Sequence, residues 1–134
     1  MMPPSIQDLE KHAVKLRCHG EYEKARDVFR QCVTEAPDDG WRSYFHRMIA
    51  DCYIDENEFE LASSELNRAV EIDPLPFSLV NLAVFVGRDR RDVERARELF
   101  ELALEMGRNI SDAEFDFELF SRRTVRSMAE LGAF

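Results

Sequence analysis

Residues Gly20–Pro37 read GEYEKARDVFRQCVTEAP. A glycine able to take a left-handed conformation closes whatever precedes it. After it, Tyr22, Ala25, Val28, Phe29, Cys32 and Val33 recur at helical spacing on one face. Pro37 then heads a turn cluster that ends at Gly40. The same grammar returns twice. Ala25, Ala62 and Ala96 correspond, at intervals of 37 and 34 residues. So do Phe29, Leu66 and Phe100, and likewise Cys32, Ala69 and Ala103. Pro37 and Pro74 are again 37 apart.

Working outward, each such stretch has a helical partner before it. Ile6, Leu9, Ala13, Val14 and Leu16 space a first helix that Ser5 is placed to cap, with Pro3 and Pro4 outside it. A helix from about Trp41 to Asp55 turns Phe45, Ile49, Ala50, Cys52 and Tyr53 inward, with Asn57 in the following turn. A fourth, about Phe59–Ile72, stops at Asp73-Pro74-Leu75-Pro76. A fifth starts near Pro76 and runs to about Val86, with Val80, Ala83 and Val84 inward and a turn over Gly87–Arg91. Asp92 caps a sixth that ends near Gly107. Ser111 and Glu114 form a capping box for a seventh, reaching about Leu131. The pattern is all-α, and its short connections make successive helices antiparallel neighbours.

A helix–turn–helix unit repeating every 34 residues resembles the tetratricopeptide-repeat (TPR) family. The carrying residues are Ala13, Gly20, Tyr22, Ala25, Phe29, Ala36 and Pro37, then Ala50, Tyr53, Phe59, Ala62, Leu66, Ala69 and Pro74, then Ala96, Phe100 and Ala103. The resemblance implies a right-handed α-solenoid of three hairpins with a C-terminal capping helix. The units fall at about 6–39, 43–76 and 77–110 and the cap at about 112–131, in one domain over 1–134. The sequence departs from the family at Gly40–Arg42, an insertion, and in the third unit, which lacks the turn glycine and the closing proline and has Val93 for the turn aromatic. The seventh helix, with Phe117, Phe120, Thr124, Met128 and Leu131 on its packing face, would cover the open end of the stack.

The chain has 134 residues and a net charge of −9, from 18 Lys+Arg against 27 Asp+Glu. That balance repels phosphate backbones, so nucleic acid is not an expected partner. Cys18, Cys32 and Cys52 contain no CxxC pair, and the N-terminus has no apolar leader-like run; a reducing, cytoplasmic setting is expected. No run approaches the length of a membrane span. His12, Cys18 and His19 lack metal-ligand spacing, and no nucleophile–base set or glycine-rich phosphate loop is present, so no cofactor, no metal and no enzyme activity are expected.

The expected function is protein–protein interaction. In the family the first helix of each hairpin lines a concave groove. The matching outward positions include Val14 and Arg17; Tyr44, Arg47, Met48 and Asp51; Asn81, Leu82, Phe85 and Arg88; and Phe115, Leu119 and Arg122. Apolar members of that set suit an amphipathic helix or extended peptide of a client, with Arg47, Arg88 and Arg122 selecting charge. Co-chaperones of this family grip acidic tails with a Lys, Asn, Asn, Lys and Arg clamp. The corresponding residues are Glu10, Val14, Met48, Ser78 and Leu82, none of which matches, so tail binding by that clamp is not expected. An adaptor, scaffold or chaperone-like holder is the main reading. A bacterial secretion-type chaperone and a self-associating structural protein, as a homodimer through Phe115 and Leu119 or the Trp41 corner, are the alternatives.

Overall fold

The structure is a computed structural model that describes residues 4–111 and 115–133. The seven helices among the described residues fall into two compact units, one ending at Asp73 and the other beginning at Pro74.

The first unit holds α1 (Pro4–Cys18), α2 (Tyr22–Glu35), α3 (Asp39–Asp55) and α4 (Phe59–Ile72), each packed on the next. The small positions of the repeat let these helices approach. Ala13, Ala25, Ala50 and Ala62 are wholly buried, and Phe29, Phe45 and Ile49 fill the space between them. Polar groups tie the layers where carbon cannot. The Ser43 hydroxyl, buried in α3, donates to the Ala69 carbonyl of α4 at 2.8 Å. Arg30 on α2 donates to the Tyr53 hydroxyl at 2.9 Å and to Glu65 at 3.2 Å, while His46 meets the other Glu65 oxygen at 2.7 Å.

The second unit holds α5 (Pro76–Arg88), α6 (Val93–Arg108) and α7 (Phe117–Leu131). α5 and α6 form the hairpin, and α7 packs on both. Ala83, Ala96, Phe100 and Ala103 are wholly buried between them. Phe120, Thr124 and Met128 bury the inner stripe of α7, as its spacing requires.

The turns inside the three hairpins share one device. Gly20, Asn57 and Arg91 all have positive φ, at 77°, 61° and 57°. They stand 37 and 34 residues apart, the period of the repeat itself. After each, the chain folds back on the helix it has left: Glu21 N–H donates to Leu16 O, Glu58 to Tyr53 O and Asp92 to Val86 O, at 2.8–3.0 Å. The third unit therefore keeps the turn without the glycine.

Several boundaries differ from expectation. α1 includes Pro4, whose missing N–H is no loss in a first turn, so Ser5 lies inside the helix rather than capping it. α3 begins at Asp39 because Asp38 accepts from Trp41 N at 2.9 Å. α7 begins at Phe117, not near 112, because Asp116 accepts from Leu119 N at 3.0 Å; Glu114 of the expected capping box lies outside the described residues. Gly87 is helical, not a turn residue. A Cβ there would stand 3.0 Å from Leu131 Cδ1 and 3.1 Å from Ala96 Cβ, so the glycine is where α5, α6 and α7 come closest.

Candidate functional site

In each unit a cleft lined by described residues involves sequence-derived positions, and the two differ in chemistry.

In the first unit the positions on α1 and α3 interlock. Arg17 donates from Nε to Asp55 at 2.8 Å and lies 4.0 Å from Asp51, so this arginine ties α1 to α3. The Tyr44 hydroxyl hydrogen-bonds Glu10, and burial, reinforced by that carboxylate, pushes the phenol up to about 12. The Arg47 guanidinium lies 5.3 Å from the centre of the Tyr44 ring. Val14 is exposed, and Met48 and Asp51 are half-buried beside these groups in the sequence register. Glu10, Asp38, Gly40, Trp41 and Tyr44 line a cleft of about 450 Å³. Of these, Glu10 and Tyr44 are outward groove positions of the sequence register; Asp38, Gly40 and Trp41 are not.

In the second unit two of the sequence-derived positions are corrected. Leu82 and Phe85 are 3% and 2% exposed. They belong to the core, buried on a face that register arithmetic leaves open. Neither offers an open face to a client. Asn81 is half-buried, Arg88 is exposed with its guanidinium 3.2 Å from Asp89, and Arg122 is exposed.

Phe115 and Leu119 do sit together. They line a cleft of about 370 Å³ with Phe77, Val80, Phe120 and Thr124, and with Arg123 among its polar members. Phe77, Phe115 and Phe120 form a mutual cluster with ring centres 5.2–5.9 Å apart, two of the pairs edge-on. Phe77 is 55% exposed and Leu119 38%, an unusual investment of apolar surface at one place. Phe77 and Val80 went unassigned in the sequence because Val80 reads as inward. The available signal was Phe77 itself, a large aromatic one residue inside the proline-started first turn of α5.

Among the described residues no group of three or more His, Cys, Asp or Glu side chains could hold a metal ion, and no helix is long and apolar enough to cross a membrane. Cys32 and Cys52 are buried, and burial pushes each thiol up to about 11; Cys18 is exposed.

Comparison with known proteins agrees with this architecture. The tetratricopeptide-repeat family model matches residues 19–82. The type III secretion chaperone SycD of Yersinia enterocolitica, solved with a peptide of the translocator YopD, is similar in fold with a TM-score of 0.70. Identity is 18%, over 97% of this chain and 94% of that one. The TPR domain of Sgt2 from Aspergillus fumigatus superposes at a TM-score of 0.64 and 21% identity, over 98% of this chain and 84% of that one. The first TPR domain of human RPAP3 gives 0.60 and 19%, over 95% and 94%. No curated protein matches in sequence. The chain is thus similar to tetratricopeptide-repeat proteins over residues 19–82, and its fold is all-α and built of helical hairpins.

Proposed function

We propose that this protein is a protein–protein interaction module, an adaptor or chaperone-like holder, and that an apolar side chain of a client peptide or amphipathic helix seats in the cleft between α5 and α7. The single observation that carries the reading is that cleft: three clustered phenylalanines, Val80 and Leu119 around about 370 Å³, large enough for a leucine or phenylalanine side chain. Helical hairpins of this fold hold peptides elsewhere. SycD is solved with a YopD peptide, and another RPAP3 structure is solved with an HSP90 peptide. The residues here favour an apolar client over an acidic tail, since Glu10, Val14, Met48, Ser78 and Leu82 supply no cation where the tail clamp of the family has three. The reading treats residues 1–134 as one TPR domain, acting in the cytoplasm and without catalytic chemistry. Fold likeness over 97% of the chain supports the domain organisation.

Native affinity purification followed by charge substitution tests it. Leu119→Glu, at an exposed position, is expected to weaken client capture by ~10–100-fold because a carboxylate would be desolvated against the phenylalanines. Leu102→Glu, equally exposed on α6, is expected to leave capture intact. Equal retention by both variants sinks the reading.

A second reading, a secretion-type chaperone for a hydrophobic client, is favoured by the likeness to SycD. It is tested by co-expression with the captured client. A soluble, stoichiometric complex where the client alone aggregates supports it; an equally soluble client without the protein contradicts it.

A further inference from the structure

The α1–α3 cleft of the first unit has a different chemistry from the apolar cleft, and it is built for a charge of one sign. Its lining of Glu10, Asp38, Gly40, Trp41 and Tyr44 contains two carboxylates, two aromatic faces and no basic side chain. Trp41 and Tyr44 stand edge to face, ring centres 5.5 Å apart and planes at 88°, so they form two perpendicular walls. Phe45 stacks behind Trp41 at 6.1 Å and fixes the indole.

The carboxylates are unequal. Asp38 is engaged as the cap of α3, accepting from Trp41 N at 2.9 Å. Glu10 is under-compensated. Its contact is the Tyr44 hydroxyl, while Oε2 is out of reach of water and has no hydrogen-bond partner among the described residues. No basic side chain in the cleft lining balances the Glu10 charge, and an arriving cation supplies that balance. The surroundings are negative as well. Burial, and then Asp39 and Asp38, hold the nearby Asp73 carboxyl above its ordinary value. A guanidinium already rests near the Tyr44 ring, that of Arg47 at 5.3 Å, so the ring serves as a cation platform within the fold itself.

We propose that this cleft binds the cationic side chain, arginine or lysine, of a client segment: charge pairs with Glu10 and the cation or its stem lies against Trp41 and Tyr44. The assignment deepens the client-binding reading and rests on it, but its test uses no client, so the two can fail separately.

Trp41 is the sole tryptophan of the chain, so its indole N–H signal and its fluorescence report on this cleft alone. The probes are N-acetyl-arginine amide and N-acetyl-lysine amide, against N-acetyl-norleucine amide of matched length and no charge. Both cationic probes should shift the indole signal saturably, with Kd on the order of 1–10 mM for so small a ligand, and more weakly as salt is raised. Glu10→Gln should weaken that binding at least ~5-fold, as loss of the pairing charge requires. Asp27→Asn, which removes an exposed charge on α2, should not change it. Equal shifts with the norleucine probe, no saturable shift up to about 50 mM, or an unchanged titration in Glu10→Gln would each overturn the assignment. The comparison of probes on the wild type stands even if Glu10→Gln folds poorly. If the arginine probe gives no shift while Leu119→Glu still releases the client, the cleft assignment alone fails.

Discussion

Arg91 shows how a single residue can keep a repeat alive after its signature has gone. Gly20 was legible because only glycine reaches the left-handed region without steric cost, and Asn57 because asparagine tolerates it. Arg91 was not legible, since nothing in an arginine codes for φ of 57°. The conformation is imposed by the helices on either side and costs roughly 1 kcal/mol. Arg91→Gly should therefore raise stability by up to ~1 kcal/mol, seen as a higher urea midpoint at unchanged slope. No gain would mean the turn is not left-handed in solution. The cysteines make a second residue-scale prediction. Cys32 and Cys52 occupy small-residue packing positions, which the repeat register revealed, and burial holds both thiols near 11. At mildly alkaline pH a thiol reagent should label one residue per native chain, Cys18, and all three after unfolding.

At the scale of the element, α7 decides what the second unit leaves open. Its amphipathic stripe was readable from Phe120, Thr124, Met128 and Leu131. The surface it would cover was not. Helical spacing assigns Leu82 and Phe85 to a face, but whether that face meets water depends on a neighbour whose docking angle no spacing encodes. The same gap hid Gly87, which reads as a turn glycine and is a packing glycine. Gly87→Ala should destabilise the protein by about 1 kcal/mol net, because overpacking against Leu131 and Ala96 exceeds the gain in helix propensity. A stability equal to or above wild type would show that α7 yields at this contact.

The polar tie across α2, α3 and α4 adds a pH dependence. Burial alone would raise the Glu65 carboxyl; His46 and then Arg30 outweigh it and hold the group below its ordinary 4.5. A lowered value in the fold means that the unfolded chain binds the proton first. The contribution to stability is thus complete above 4.5 and is lost as pH falls through the folded value. Glu65→Gln should cost about 1–2 kcal/mol at neutral pH, with the difference from wild type shrinking below about pH 4. A gap that is constant with pH would contradict the pairing.

Across the whole molecule the period carried most of what was legible. Intervals of 37 and 34 residues carried the hairpin pattern, the helix type and the resemblance to tetratricopeptide repeats. The break between the two compact units also has a sequence cause: Pro74 and Pro76 flank Leu75, which is held extended at φ −92° and ψ 153°, and neither proline offers an N–H to continue α4. Function was legible only as a class. The groove positions came from carrying one register along all the first helices, which named Phe115 and Leu119, both in the lining of the apolar cleft, and also Leu82 and Phe85, which are core. The residues that complete both clefts beyond that register, Phe77 and Val80 in one and Trp41 in the other, depend on how neighbouring helices meet.

The central claim is that the α5–α7 cleft holds an apolar side chain of a client. Its most direct test places a photo-crosslinking phenylalanine analogue at Phe77, at Leu119 or at Leu102 and maps the client residues captured by each. The account predicts strong crosslinks from positions 77 and 119 to one apolar stretch of the client, and none from position 102. Equal crosslinking from position 102, or none from 77 and 119 in a folded, client-bound protein, would contradict it.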